Sequence, residues 1–293
     1  MNIETKDHFY SSGDDLKLYC RIYPALEPSG TSVLCLPGLT RNSRDFVALA
    51  RRLQPRHEVL TADLRGRGRS DRDSDPSRYQ LATYVQDIWS LLGSRGLSRV
   101  LVIGTSLGGL IGMVMAAMKP AHIAGLVLND IGPEIDPAGL QRIAQYAGKL
   151  PPVSSWPEAA AQTKSIYGLA LPGLTDAEWL DYARRSYRET ANGIPVPDMD
   201  PKIGEAFTNT SAAAPDMWPL FAQIKGVPML VIRGALSDIL SAATVVRMGR
   251  EKPDLMHIEV PNRGHTPLLN EPQSVAAIDA FVTRHGEAGS HES

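Results

Sequence analysis

The clearest candidate for chemistry in this sequence is a serine at a turn. Residues 104–108 read Gly-Thr-Ser-Leu-Gly, follow a β-branched apolar run at 100–103 and precede a small, apolar segment typical of a buried helix. The flanking glycines leave room for a strained backbone at Ser106. A serine on such a strand–turn–helix junction presents its hydroxyl for nucleophilic attack on an acyl carbon.

The predicted helix that begins near Leu107 supplies the second requirement of acyl transfer. Its first backbone N–H groups have no partner within the helix and point toward the same turn. An oxyanion that forms beside Ser106 would therefore meet donors that are already oriented. Glycine and serine are common, so the pattern alone could arise by chance, but the strand before it and the helix after it favour a catalytic interpretation.

Polar side chains that could assist Ser106 follow other predicted strands. Asp238 follows the run at 229–232, and His265 follows the run at 256–260, directly after a glycine and before Thr-Pro. Reacting groups in mostly parallel sheets collect beyond the carboxyl ends of the strands. Asp130 also ends a strand-like run, so it is a second candidate acid.

The remaining histidines lack such a position, and we interpret them as surface or satisfied core residues. They are His8, His57, His122, His257, His285 and His291. Cys20 and Cys35 lie in apolar strand-like runs, where a buried reduced thiol is the default. No cluster with metal-ligand spacing is present, so the sequence predicts neither a metal nor an organic cofactor.

Apolar patterns predict strands that alternate with helices over most of the chain. The predicted strands are 8–11, 16–23, 32–36, 57–64, 100–103, 123–128, 229–232 and 256–260. The first two are expected to form an antiparallel hairpin. Between residues 134 and 217 prolines and helical faces recur without a good strand run, and Thr175 and Glu178 form a capping box. We therefore predict a helical insertion there.

A glycine-rich loop at 63–70 carries three arginines. Arginines in such a loop could bind phosphate, but no lysine–serine pattern of a P-loop accompanies them. We interpret the segment as a charged structural loop held by Asp63.

The overall charge limits the class of partner. The 293 residues include 30 basic and 32 acidic side chains, for a net charge of −2, which provides no basic field for nucleic acid. No stretch reaches the ~20 apolar residues of a membrane span, and the amino terminus is polar. We therefore expect a cytoplasmic protein with a small-molecule substrate, no nucleic-acid or membrane partner, and a monomeric or homodimeric state.

The turn at Ser106 and the order Ser106, Asp238, His265 resemble the α/β-hydrolase fold family over nearly the whole chain. The resemblance implies an α/β fold with a mostly parallel, eight-stranded sheet flanked by helices. Residues 1–133 and 218–286 would form the core domain and 134–217 a helical cap. Residues 287–293 are expected to be a disordered tail.

The resemblance also implies roles for individual residues. Ser106 would be the nucleophile, His265 the general base, and Asp238 the carboxylate that orients the histidine. The backbone N–H groups of Leu39 and Leu107 would bind the oxyanion, although Pro37 stands where many members have histidine. Some relatives take the acid from the position of Asp130. We favour Asp238 because it follows the strand after the cap and because Gly234 frees its turn.

A serine at the turn excludes the dehalogenases and epoxide hydrolases of this fold, which use aspartate there. The expected reaction is hydrolysis of a small ester or lactone. The alternatives are hydrolysis of a carbon–carbon bond in a ring-cleavage product, or a small-molecule receptor that retains the fold. Aromatic residues in and beside the cap could line a pocket, although core packing is their commoner role. They are Tyr146, Trp156, Tyr167, Trp179 and Trp218.

Overall fold

The computed structural model describes residues 5–210 and 216–286. The strands in these residues are β1 (Lys6–Ser11), β2 (Lys17–Tyr23), β3 (Ser32–Leu36), β4 (Val59–Asp63), β5 (Val100–Thr105), β6 (Ile123–Asn129), β7 (Tyr187–Glu189), β8 (Pro195–Pro197), β9 (Met229–Gly234) and β10 (Met256–Val260). Over the described chain, eight of them form one sheet in the order β1-β2-β4-β3-β5-β6-β9-β10. Strand β2 is antiparallel to β1 and β4, and the other pairs are parallel. The predicted mostly parallel eight-stranded sheet is confirmed.

Helices cover both faces of this sheet. They are α1 (Val47–Leu53), α2 (Leu81–Ser94), α3 (Leu107–Met118), α4 (Pro137–Tyr146), α5 (Trp156–Tyr167), α6 (Asp176–Ser186), α7 (Lys202–Thr210), α8 (Trp218–Gln223), α9 (Ala242–Glu251) and α10 (Pro272–His285). Strand β3 illustrates the two layers, because successive side chains of a strand point to opposite faces. Leu34 and Leu36 pack with α2 and α3, whereas Val33 and Cys35 pack with α1 and α10.

The segment at 134–217, which we call the cap, lies between β6 and α8. It contains α4 to α7, and also the short antiparallel pair of β7 and β8, where no strand was predicted. Three-residue strands are too short for an alternating pattern to show, and prolines stand at both ends of β8. Residues 211–215 of the cap and the predicted tail at 287–293 lie outside the described residues.

Backbone hydrogen bonds join the cap to loops at the carboxyl edge of the sheet. The N–H of Gly68 donates to the carbonyl of Asp198 at 3.0 Å, and the N–H of Asp200 donates to the carbonyl of Gly66 at 2.7 Å. On the other side, the N–H of Gly264 donates to the carbonyl of Ala170 at 2.6 Å. The cap therefore covers the edge where the predicted catalytic residues emerge.

The arginine-rich loop at 63–70 makes internal contacts. The carboxylate of Asp63 accepts the N–H groups of Ser43 and Arg69, at 2.7 and 2.8 Å. Arg65 is buried and forms a bidentate pair with Asp87 at 2.7 Å. These contacts agree with a structural role for the loop, because its charges are compensated inside the protein.

No helix in residues 5–210 or 216–286 has the length and apolarity needed to cross a membrane. Cys20 and Cys35 are both free thiols in the core, and burial raises the pKa of each of them.

Candidate active site

Ser106 lies at the junction of β5 and α3 in a conformation that few residues other than glycine adopt, with φ of 52° and ψ of −116°. The neighbouring glycines are required by close approach of the backbone. A Cβ atom on Gly104 would lie 2.4 Å from the carbonyl carbon of Gly108, and one on Gly108 would lie 2.1 Å from the carbonyl oxygen of Leu36. Side chains at these two positions would therefore collide with the backbone, as predicted. The turn places the serine hydroxyl beyond the edge of the sheet.

A chain of hydrogen bonds connects three side chains at this edge. His265 Nε2 lies 2.9 Å from Ser106 Oγ, and His265 Nδ1 lies 2.8 Å from Asp130 Oδ2. Because a carboxylate only accepts hydrogen bonds, Nδ1–H of the histidine donates to Asp130, which leaves Nε2 to accept from the serine hydroxyl. This is the geometry in which a histidine can remove the proton of a serine.

His265 is hydrogen-bonded to Asp130 and not to Asp238, so the preference for Asp238 as the partner of His265 is corrected. Asp238 is half-buried and forms a bidentate pair with Arg142 of the cap, with distances of 2.5 and 2.8 Å. Its carboxylate pairs with α4, and among the described residues it makes no hydrogen bond to the histidine. The turn after β9 contributes differently, because the Gly234 N–H and the Ser237 hydroxyl both donate to Asp130, at 2.8 and 2.6 Å.

Sheet order explains why Asp130 reaches the histidine. Strand β6 lies between β5 and β9 in the sheet, so the residue after β6 emerges between the serine turn and the loops that follow β9 and β10. Asp130 has a positive φ of 55°, and its N–H donates to the carbonyl of Ile232 at 2.7 Å. Its carboxylate is fully buried. The neighbouring Asn129 donates to the carbonyl of Pro267 at 3.0 Å and so holds the loop that carries His265.

The loop after β3 lies beside the serine. A Cβ atom on Gly38 would be 3.6 Å from Cβ of Ser106, and Leu39 lines the same small cavity as the serine hydroxyl. Leu107 is the first residue of α3, so its N–H has no acceptor within the helix. The structure thus brings both predicted donors next to Ser106.

Arg67 contacts this loop, and no pattern in the sequence predicted the contact. It is fully buried, its Nε donates to the carbonyl of Leu39 at 2.8 Å, and its Nη1 donates to the hydroxyl of Tyr84 at 2.9 Å. A charged donor inside the protein forms a strong hydrogen bond, so Arg67 fixes the position of the Leu39 peptide.

Two adjoining cavities lie between the cap and the core. The catalytic cavity, about 40 Å³, contains Ser106 and His265. The cap cavity, about 470 Å³, extends under α5 and the β7–β8 pair. Thr40, Arg41, Tyr146 and Tyr167 line both.

Two of the predicted aromatic residues, Tyr146 and Tyr167, therefore line the cavities. Burial raises the pKa of Tyr146, so its phenol is uncharged at neutral pH. The other three lie outside these two linings. Trp156 and Trp179 pack among cap residues, and Trp218 donates its indole N–H to Glu134 at 3.0 Å. These three tryptophans therefore have a structural role, which is commoner for such residues than lining a pocket.

A buried arginine stands where the two cavities meet. Arg41 forms a bidentate pair with Asp45, at 2.8 and 2.5 Å, and also donates to Ser186 of the cap. Burial alone would lower the pKa of Arg41, but the charge of Asp45 overrides it and raises the pKa. The hydroxyl of Thr40 lies 3.3 Å from that of Tyr167, which gives the Leu39 loop a second contact with the cap.

Among the residues described in the structure, no three histidine, cysteine or carboxylate side chains converge in a way that could hold a metal ion.

Known proteins resemble this chain over most of its length. A crystal structure described as an alpha/beta hydrolase from Novosphingobium aromaticivorans has a TM-score of 0.90 and 43% identity, covering 97% of this chain and 100% of that one. The 3-hydroxybutyrate-oligomer hydrolase of Cupriavidus necator is 32% identical over 266 residues, 88% of this chain and 90% of the relative. The 2-(acetamidomethylene)succinate hydrolase of Mesorhizobium japonicum is 26% identical over 94% and 96% of the two chains.

The family assignment follows from a match over most of the chain. Residues 31–272 match the family described as alpha/beta hydrolase fold, which includes every residue of the hydrogen-bonded chain described above. With the sheet order, the serine turn and these relatives, the protein is a hydrolase that belongs to the alpha/beta hydrolase fold family.

Proposed function

We propose that this protein is a serine hydrolase that cleaves small carboxylic esters through an acyl-enzyme on Ser106. The observation that carries the proposal is the unbroken hydrogen-bonded chain from Ser106 through His265 to Asp130, which ends at a cavity. Each member is in reach of the next at an ordinary hydrogen-bond distance.

In the first half of the reaction, Ser106 Oγ attacks the ester carbonyl carbon as His265 Nε2 takes the hydroxyl proton. The carbonyl oxygen becomes an oxyanion, which accepts hydrogen bonds from the N–H groups of Leu39 and Leu107. Asp130 stabilises the imidazolium that forms. When the intermediate collapses, the C–O bond to the alcohol breaks, and His265 gives its proton to the departing oxygen.

In the second half, water replaces the alcohol. His265 removes a proton from the water as its oxygen attacks the acyl carbon, and the same N–H groups hold the second oxyanion. The bond to Ser106 then breaks, and the serine oxygen recovers a proton from the histidine. The products are one carboxylic acid and one alcohol, with no group consumed from the protein.

The choice of an ester is supported by a relative and by the cavity. An oligomer of 3-hydroxybutyrate, named for the Cupriavidus necator relative, joins the hydroxyl of one unit to the carboxyl of the next by an ester bond. The walls of the cap cavity are mainly apolar, with Leu150, Val153, Ile166 and Met199 among them. Such walls suit a short, branched aliphatic chain better than a highly charged one.

The test compares the wild type with Ser106→Ala on a panel of aliphatic esters and lactones. The variant is expected to lose roughly six orders of magnitude in turnover, or to fall to background, as removal of a triad nucleophile does. Mass spectrometry of the wild type, quenched early in the reaction, should show the acyl group on the peptide that contains Ser106.

Circular dichroism and the melting temperature provide the control, because the alanine variant should keep the wild-type fold. Ester turnover that is equal in both proteins would refute the proposal. Rapid turnover of a ring-cleavage dienone acid without turnover of any ester would replace it with carbon–carbon bond hydrolysis. Tight ligand binding with no turnover of any compound would replace it with a receptor.

A further inference from the structure

The walls of the cap cavity are mainly apolar, but the charged side chains among them all carry a positive charge. Among the described residues, the charged side chains that line it are Arg41, Arg72 and Arg188, and no aspartate or glutamate lines it. An apolar cavity with charges of one sign attracts a ligand of the opposite sign, because field lines concentrate where the walls have a low dielectric constant.

The three arginines are not equally available. Arg41 is buried and neutralised by its bidentate pair with Asp45. Arg188 is half-exposed, and its Nε is 3.9 Å from Asp198, which also pairs with Arg44. The charge of Arg72 also acts on Asp198, so three arginines share that one carboxylate.

Arg72 is the least compensated of the three. Within the part of the chain that the structure describes, Arg72 makes no hydrogen bond and no ion pair within 4.0 Å. It is exposed at the cavity wall. Its charge acts on Asp198 only without a close contact, so Arg72 can pair with a ligand without breaking a hydrogen-bonded ion pair.

Arg72 and Arg188 line the cap cavity and do not line the catalytic cavity that contains the nucleophile. The end near Ser106 is formed by Thr40, Arg41 and the tyrosines that the two cavities share. Arg72 and Arg188 instead line a further small cavity next to the 63–70 loop, together with Asp198 and Asp71. A molecule that extends from the serine through the cap cavity can therefore reach these two arginines.

We propose that Arg72 and Arg188 bind the carboxylate at the far end of an anionic ester substrate, whose leaving alcohol is a hydroxy acid that occupies the cap cavity. The inference rests on the proposed ester hydrolysis at Ser106. Guanidinium groups suit it, because each can offer paired N–H donors to a carboxylate.

The relative size of the cavities decides which half of the ester lies where. The catalytic cavity of about 40 Å³ accommodates a small acyl group, whereas the cap cavity of about 470 Å³ accommodates a longer chain. In a linear oligomer of hydroxy acids the free carboxylate lies on the alcohol side of every ester bond. The anionic end therefore belongs to the leaving group, and cleavage releases it as a free hydroxy acid.

The test uses substrates with a single ester bond. Linear acetoxyalkanoates from about four to about ten carbons are compared with the matching carboxamides, which have the same length and no charge. Acetate release gives kcat/KM for each pair. At the chain length that spans the cavity, the acid is expected to exceed its amide by about 10 to 100-fold, mainly through a lower KM.

Variants assign that preference to the two arginines. Arg72→Gln combined with Arg188→Gln is expected to bring the acid to amide ratio close to one, and the corresponding lysine pair should restore part of it. The ratio does not depend on how much of each preparation is active. Arg250→Gln, at an exposed arginine of α9, is the matched control and should keep the wild-type ratio.

The outcomes separate this inference from the function on which it rests. Hydrolysis of acids and amides at equal rates at every length would overturn the carboxylate site and leave the ester hydrolase in place. A wild-type ratio in the double glutamine variant would overturn it as well. Failure to hydrolyse any ester in a manner that depends on Ser106 would overturn both.

Discussion

Asp130 and Asp238 have the same side chain and follow neighbouring strands, yet the protein uses them differently. Asp130 is fully buried, and its carboxylate accepts hydrogen bonds from Gly234, Ser237 and His265. Asp238 is half-buried and pairs with Arg142 across the boundary between core and cap. The donors around each carboxylate decide whether it orients a catalytic histidine or joins two parts of the molecule.

The turn after β9 shows how closely the two sites are linked. Gly234, the last residue of β9, and Ser237 in the turn both donate to Asp130, while the next residue, Asp238, pairs with Arg142 of the cap. A Cβ atom on Gly139 of α4 would lie 2.3 Å from the carbonyl oxygen of Asp238, so helix and turn are in close contact there. The same turn thus donates a hydrogen bond to Asp130 and holds the cap through the pair of Asp238 with Arg142.

Among substitutions at the two aspartates and the turn between them, Asp130→Asn has the largest expected effect. The amide keeps the shape of the carboxylate, but its NH2 group favours the histidine tautomer with the proton on Nε2, which cannot accept the serine proton. We expect kcat to fall by roughly four orders of magnitude while the melting temperature changes little by comparison. The measurement is ester turnover beside circular dichroism. A mild loss here, with a collapse in Asp238→Asn, would exchange the two roles.

A smaller loss is expected for Ser237→Ala. The serine hydroxyl donates to Asp130 at 2.6 Å and accepts the N–H of Leu240 at 3.0 Å, so its removal takes one donor from a buried carboxylate and loosens the turn. A hydrogen bond to a charged group is worth about 1.5–3 kcal/mol, which corresponds to about 10 to 100-fold in kcat if it is fully used in the transition state.

Ser237→Thr is the matched control, since it retains the hydroxyl. It should recover a large part of the turnover lost in the alanine variant, measured at saturating ester. Equal losses in both variants would mean that the shape of the turn, and not the donor to Asp130, matters at this position.

Most of the fold could be predicted because each long element has its own pattern. Strand β5 and helix α3 are a β-branched run and a long apolar segment on either side of a glycine-flanked serine, and these signals are local. The β7–β8 pair was missed because a strand of three residues with terminal prolines has no period to detect. Local patterns therefore identify long elements, whereas short elements depend on tertiary contacts that a local pattern does not show.

The residues of the candidate site also differ in whether local sequence patterns predict them. Ser106 and His265 could be proposed from their positions after strands, and the structure brings them within hydrogen-bond distance. The acid could not be decided, because both aspartates follow strands and the choice depends on Arg142, which lies 96 residues before Asp238 in the chain. Arg67 was missed for the same reason, since its contact with Leu39 joins two loops.

The smallest expected effect is that of Asp238→Asn, which sharpens the contrast with Asp130. Burial raises the pKa of Asp238, but the hydrogen bond and charge of Arg142 outweigh it, so the pKa lies below its ordinary value of 3.8. A carboxyl whose pKa is lowered on folding stabilises the protein above its unfolded pKa, and that contribution disappears as the pH falls through the folded value.

For a pair that is partly exposed, this stabilisation is about 1 kcal/mol or less. We therefore expect Asp238→Asn to lower the melting temperature slightly at pH ~7 and to approach the wild type below pH ~4, while kcat changes by less than about fivefold. Thermal unfolding at several pH values, with ester turnover at neutral pH, measures both quantities. A stability difference that persists unchanged at low pH would show that the Asp238–Arg142 pair does not act through its charge.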